Sequence, residues 1–339
     1  GEIYTDNIVS FMEYGSKNTE NNSSLVMTLS PKVTLTQGWN VRADVSYKNQ
    51  GNYTKTFVPL HRRVETNWNT TTTHTDPSRI YKYDFGSNQY TINAYTDYIK
   101  TFAQHHNVNA LLGFNQEWYT DNWFSAQRND VNPNIPTINQ AQGLQLVNDG
   151  ESHWAVRGLF YRLEYDYKGK YLLKSNGRYD GTSRFSTDTR YKFFPSFSAG
   201  WVLSEESFAE GLKPVVNFLK LRASYGSLGN QNVSNYAYVL SYNTSSNLDY
   251  LFGGVRPVYV TPPGLLDANL TWETSATLDF GLDVTLFRKW DLTFDWYKRT
   301  TSDILAPADQ LPVTLGTAVP LSNSGMLTTK GWEVTTSYK

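Results

Sequence analysis

The sequence has no cysteine, so a disulfide framework and thiolate metal sites are excluded. Nor does any apolar run approach the roughly 18 residues that a transmembrane helix requires. Neither sign of charge is in excess: 30 Lys+Arg stand against 31 Asp+Glu, a net charge of -1. That balance offers no pull toward nucleic acid or acidic lipid. Histidine is scarce, with 5 in 339 residues. No P-loop, zinc-ligand spacing or Gly-x-Ser-x-Gly elbow is found, so no catalytic residue, cofactor site or metal site is assigned and the chain does not read as an enzyme. His105-His106 is assigned to an exposed turn rather than a metal site.

What is abundant is aromatic: 15% of residues, with 24 Tyr, 17 Phe and 10 Trp. The hydrophobic pattern has a period of two. From Trp272 the even positions read Trp, Thr, Ala, Leu, Phe, Leu, Val, Leu to Leu286, and the odd positions are Glu, Ser, Thr, Asp or Gly. Val41, Ala43, Val45 and Tyr47 likewise oppose Arg42, Asp44, Ser46 and Lys48. Leu219, Leu221, Ala223 and Tyr225 oppose Lys220, Arg222 and Ser224. Alternate strand residues share a face, so each segment has one apolar and one polar face.

About eleven such strands are expected, mostly ten residues or longer, which is long for a soluble sheet and normal for a membrane barrel. They start near Ser24, Trp39, Tyr90, Asn107, His153, Lys170, Pro195, Asn217, Leu270, Trp290 and Asn323. Pro31 disturbs the first and marks a bulge or rim position. A short helical turn is expected within Ser204–Leu212. Short turns near 37–38, 105–106, 168–169 and 288–289, and a longer one at 204–216, alternate with polar excursions at 49–89, 120–152, 180–192, 226–269 and 300–322. In an up-and-down barrel every second connection lies on one side of the membrane, so this alternation separates periplasmic turns from extracellular loops.

The fold expected is therefore all-β, an antiparallel transmembrane β-barrel segment occupying 1–339, with both ends read as cuts in a longer protein. Charged residues at apolar-parity positions are Lys100, Arg157 and Lys330, each near a connection where it can reach headgroups. Tyr47, Trp118, Tyr165, Tyr171, Tyr179, Tyr225, Trp272 and Trp290 fall at strand ends on the apolar face, as interfacial girdles require. Arg42, Asp44, Arg162, Glu164, Asp166, Asp279 and Asp283 fall on the polar face, toward a lumen. Trp68, Trp123 and Phe124, assigned to long surface loops, are the candidate substrate contacts, because aromatic faces stack on sugar rings and peptide side chains. The alternative is a soluble or surface-anchored β-rich adhesin or lectin, whose apolar rows would pack on a second layer.

Several stretches resemble the SusC/RagA family of TonB-dependent outer-membrane transporters of Bacteroidetes. They are YDYKGKYLL at 165–173, RYDGTSRF at 178–185, RYKFFPSFSAGW at 190–201, LKLRASYGSLGNQ at 219–231, LTWE at 270–273 with DFGLD at 279–283, DWY at 295–297 with TTSDIL at 300–305, and NSGMLTTKGWEV at 323–334. The family's common Asn-Pro ahead of Leu-x-Trp-Glu is Asp267-Ala268-Asn269 here. The resemblance implies a barrel of about 22 strands closed by an N-terminal plug. It also implies nutrient import of glycan or peptide, energised through TonB-ExbB-ExbD, with a SusD-like surface lipoprotein as lid. Neither plug nor TonB-box segment is recognisable in this stretch.

Overall fold

The computed structural model describes residue 12 and residues 15–64, 71–245, 250–261, 263–307 and 319–339. Its strands are β1 (Lys17–Leu29), β2 (Lys32–Thr36), β3 (Trp39–Val58), β4 (His61–Val64), β5 (Thr71–Thr75), β6 (Arg79–Phe102), β7 (His106–Asn129), β8 (Gln145–Tyr167), β9 (Tyr171–Thr182), β10 (Tyr191–Val202), β11 (Val216–Asn230), β12 (Asn243–Ser245), β13 (Tyr259–Thr261), β14 (Glu273–Leu286), β15 (Trp290–Pro307) and β16 (Leu321–Tyr338).

One 12-stranded sheet follows the order β1-β3-β6-β7-β8-β9-β10-β11-β14-β15-β16, with β2 also paired to β3. The registers given for it are antiparallel, as in β9 with β10 and β14 with β15. Short hairpins β4–β5 and β12–β13 stand apart from it. Among the described residues the outermost strands, β1 and β16, each have one sheet neighbour.

β1 and β2 both lie against β3 and behave as one strand broken at Ser30-Pro31. Proline has no N–H for the ladder, but its carbonyl still accepts a hydrogen bond from the Ala43 N–H at 3.1 Å. Counting the pair as one strand gives the expected number. The expected helical turn is present as short 3-10 segments at Leu203–Glu205 and Ser207–Leu212.

Strand starts agree with the sequence reading at the short turns and differ at the long loops. β3, β7, β9, β11 and β15 begin within a residue of expectation, whereas β6 starts at Arg79 rather than Tyr90 and β8 at Gln145 rather than His153. β6 and β7 each run for 24 residues. A tilted strand crosses a bilayer in roughly 9–11 residues, so these ladders continue well beyond the apolar band. The strict alternation of connection lengths also fails at one place. Connection 183–190 is shorter than 203–215, because β9 and β10 reach into the predicted excursion.

Two compact units divide the chain. The first comprises Gly1–Leu29, Val45–Thr91 and Trp118–His153. Its small core is Ile80, Val131 and Ala141, with Phe57 and Ile138 packed against it. Ser78 ties this core together, its hydroxyl accepting from the Val131 N–H at 2.9 Å. The second comprises Ser30–Asp44, Ile92–Glu117 and Trp154–Lys339, and its core is Phe185, Phe194, Leu270 and Trp272.

Among the described residues, the apolar rows outside these clusters are not packed on a second layer. Leu25, Met27 and Leu29 are exposed in the first unit, and Leu163, Leu173, Phe197, Leu221 and Phe280 in the second. A soluble sandwich would bury such residues at roughly 25 cal/mol per Å². Left bare in rows along one face of a single sheet, they form a surface for lipid tails.

Trp272 is corrected by the structure. It is not a girdle residue on the apolar face. It lies just before β14, 4% exposed, with its ring against Phe185 and Phe194 and its indole N–H donating to the Arg190 carbonyl at 2.8 Å. His106 is corrected too: it is the first residue of β7, partly buried, with Nδ1 2.8 Å from the Tyr165 hydroxyl.

Candidate functional site

The polar rows of the second unit form a cross-strand lattice. Alternation puts Arg42 and Asn40 on one face of β3, and both reach Asp97 of β6, at 3.3 Å from Arg42 Nε and 2.8 Å from Asn40 Nδ2. Glu164 of β8 receives Asn109 Nδ2 at 2.9 Å from one side and Lys174 Nζ at 2.6 Å from the other. Arg162 donates to Asn176 Oδ1 at 3.3 Å, and Asp166 accepts from Asn107 and from the Gly169 backbone N–H. Arg222 of β11 holds Asp283 of β14 through Nε at 2.8 Å and Nη2 at 3.1 Å, and reaches Asp295 of β15 at 2.9 Å. Thr293 completes the group by donating to Asp283.

Part of this lattice lines a depression of about 490 Å³ whose walls include Asn109, Glu164, Lys174, Lys220, Arg222 and Asp279. Of the residues assigned to the lumen from sequence, Glu164, Asp166 and Asp279 line it, while Arg42, Arg162 and Asp283 take part in pairs of the same polar rows. Lys174 and Arg222 line it as well, and Asp97 and Asp295 pair with Arg42 and Arg222; alternation placed Arg222 on the polar face, but none of these pairings was expected. Their signal is cross-strand register, which alternation within one strand does not contain. Charge-assisted pairs of this kind keep a polar wall ordered and wet. Among the described residues no group of three or more His, Asp or Glu is arranged to hold a metal ion.

The opposite face carries girdles. In the first unit Tyr47 and Tyr90 lie 4.9 Å apart and Tyr90 and Trp118 5.8 Å apart, with the Tyr47 hydroxyl donating to Asn88. In the second unit Trp39 packs edge-on to Tyr98 and donates its indole N–H to Thr96. Of the charged exceptions on this face, Lys100 sits over the Phe102 ring at 5.1 Å and Arg157 Nε donates to Gln116 at 3.0 Å. Lys330 pairs in register with Lys298, a further charge on the apolar parity that the sequence reading did not name. Both are exposed, one row beyond the paired Trp296 and Trp332.

The candidate substrate aromatics are placed differently from expectation. Trp123 and Phe124 are not in a loop: both lie within β7, and as neighbours in a strand they point to opposite faces. Phe124 shares the parity of Trp118 and is 50% exposed. Trp123 points the other way, stacks on Tyr83 with centroids 6.2 Å apart, and lies over Gly150, where an added Cβ would stand 2.6 Å from its Nε1. Trp68 lies outside the described residues.

A single antiparallel sheet with an aromatic-rimmed apolar face and a salt-bridged polar face defines the wall of an outer-membrane β-barrel. The comparisons with known proteins make this specific. The family model described as TonB dependent receptor-like, beta-barrel, matches residues 3–339. A TonB-dependent receptor of Formosa agariphila is 34% identical over 251 residues, covering 72% of this chain and 23% of that protein. The TonB-dependent receptor SusC of Bacteroides thetaiotaomicron is 29% identical over 290 residues, 78% of this chain and 28% of that protein. Among solved structures, the RagAB peptide importer in its closed-closed state superposes with a TM-score of 0.81 at 17% identity, over 95% of this chain and 34% of that one. The chain belongs to the TonB-dependent receptor β-barrel family and resides in the outer membrane. It spans about a quarter of the length of these curated relatives. The family is one of receptors and transporters rather than of enzymes.

Proposed function

We propose that this chain is part of the wall of an active nutrient importer of the outer membrane. In that reading a plug domain, carried elsewhere in the full-length protein, fills the lumen. The TonB-ExbB-ExbD complex supplies energy through that plug, and a SusD-like surface lipoprotein lids the barrel. The cargo is an oligosaccharide or a peptide; SusC and the RagAB peptide importer, both similar to this chain, support such a cargo and such a partner.

The observation that carries the reading is the division of labour between the two faces of one sheet. Exposed apolar rows that include Leu173, Phe197 and Phe280 suit lipid. On the other face Glu164, Lys174, Arg222 and Asp283 form a hydrated ion-pair lattice suited to a filled pore. Trp123, on the face opposite Trp118, is the favoured cargo contact of the aromatic candidates; Phe124 is not.

The test is uptake by intact cells. Cells with the intact gene and cells deleted for it are given labelled oligosaccharide and peptide mixtures, with and without a protonophore. Loss of one cargo class on deletion, and the same loss on collapse of the proton gradient, is expected. Uptake of both mixtures unchanged by deletion overturns the proposal.

A further inference from the structure

At the short-turn rim of the second unit the apolar face carries a shelf of rings. His106 lies 4.7 Å from Tyr167, Tyr167 6.2 Å from Tyr171, and Tyr171 6.3 Å from Trp201, each distance between ring centroids. Phe102 extends the shelf across the tight turn, where its carbonyl accepts from the His105 N–H. Two exposed cations stand over it: Lys100 Nζ at 5.1 Å from the Phe102 centroid and Lys168 Nζ at 5.3 Å from that of Tyr167. Their turns are joined, since the Lys168 N–H donates to the His105 carbonyl at 3.0 Å.

Tyr165 links this shelf to a second feature. Its hydroxyl meets His106 Nδ1 at 2.8 Å, and its ring walls an apolar groove of about 590 Å³ lined also by Leu173, Phe197, Ala199, Ala223 and Leu278. Ala199 and Ala223 are register partners. Two methyl groups side by side, among larger neighbours, leave the floor of the groove low.

The shelf and groove together match the two ends of one molecule. Amphipathic rings sit at headgroup depth, cations at that depth attract anionic headgroups, and an apolar channel leading from them toward the bilayer interior accepts a chain of methylenes. Among the described residues neither lysine has a carboxylate within ion-pair distance, so their charges are available to a phosphate. We propose that this is a binding site for one anionic phospholipid of the periplasmic leaflet, with its phosphate between Lys100, Lys168 and the His106 edge and one acyl chain over Ala199 and Ala223. The inference needs only the membrane placement and stands independently of cargo and energy source.

The experiment is native mass spectrometry of the full-length receptor in detergent, exchanged against micelles containing phosphatidylglycerol or phosphatidylcholine. At least one phosphatidylglycerol is expected to survive collisional activation that strips phosphatidylcholine. The Lys100→Ala/Lys168→Ala double variant should lower phosphatidylglycerol occupancy on the order of tenfold. Ala199→Phe, which fills the groove floor, should lower it comparably, while Lys100→Arg/Lys168→Arg should retain it. Heat-modifiable electrophoretic migration checks that each variant is folded. Equal retention of the two lipids, or occupancy unchanged in both the double alanine variant and Ala199→Phe, overturns the proposal.

Discussion

Arg222 grips Asp283 with two nitrogens, at 2.8 and 3.1 Å, and turns one of them at 2.9 Å to Asp295 on the next strand. One guanidinium thus couples β11, β14 and β15 on the polar face. Removing it leaves Asp279, Asp283 and Asp295 facing one another without their shared cation. Arg222→Ala in the full-length receptor is expected to lower stability by about 1–3 kcal/mol, more than an exposed ion pair contributes, because each partner is about three-quarters shielded. Arg222→Lys keeps the charge and loses the fork, and should fall between. The thermal midpoint of heat-modifiable migration reads both.

Trp272 gives a sharper prediction on the long-loop side. Its buried ring fills the space between Phe185, Phe194 and Leu270. Around it Asn323 donates to the Thr271 and Asp303 carbonyls and accepts from the Thr271 N–H. Trp272→Ala should cost about 3–5 kcal/mol of local stability. Protease added to intact cells is expected to cut within 231–272 faster in this variant, with outer-membrane levels otherwise similar. Equal cutting rates would mean that the buried Trp272 ring does not hold this connection in place.

Acid should act on the 203–215 connection through Glu206. Its carboxylate is held below the usual carboxylate value, first by the Tyr171 hydroxyl, then by the Trp201 indole N–H and by Lys170. A group whose value is depressed by folding stabilises above its unfolded value and loses that contribution as pH falls through the folded one. The gap in thermal midpoint between the native receptor and Glu206→Gln should therefore be widest near neutrality and close as pH drops below about 4. A gap independent of pH would mean that Glu206 acts through packing alone.

Gly38 occupies the tight turn between β2 and β3 at φ +85°, and a Cβ there would stand 2.1 Å from the Ile99 carbonyl oxygen. That approach also brings the Gly38 carbonyl to the Ile99 N–H at 2.8 Å. Gly38→Ala should destabilise by more than about 1 kcal/mol, since both backbone and space reject the methyl. Reduced heat-modifiability or reduced abundance in the outer membrane measures it.

Trp123 and Phe124 provide an internal control for transport. If Trp123 stacks on cargo, Trp123→Ala should lower uptake by several-fold to tenfold, the range of a lost aromatic contact, whereas Phe124→Ala should leave it near the native rate. Similar losses in both variants would point to a structural role for this end of β7.

How far these features could be read from sequence depends on what each residue contacts. At short turns the apolar face persists to the last residue, so Trp39, Tyr171 and Trp290 announce where their strands begin. At the other end β6 and β7 run past the apolar band, alternation dissolves, and only the hydrogen-bond ladder continues. Arg79–Gln89 and Thr120–Asn129 therefore read as loops, and Trp123 and Phe124 with them. Trp272 continues the parity of β14 by one residue, which made it resemble a girdle ring; its burial comes from Phe185 and Phe194, far away in sequence. The Arg222 fork joins residues 61 and 73 positions apart, a coincidence that only cross-strand register creates.

The two outermost strands, β1 and β16, each leave a file of backbone amides and carbonyls turned away from their one neighbour. In hydrocarbon an unmet peptide group costs several kcal/mol, and spanning structures avoid that by closing on themselves. A sheet left open along these files would satisfy them by zipping onto copies of itself, and fibrous precipitate is the natural fate of such a sheet. Dissection into autonomous pieces, routine for soluble receptors, is thus unsuited to this architecture, whose smallest workable part is the whole ring.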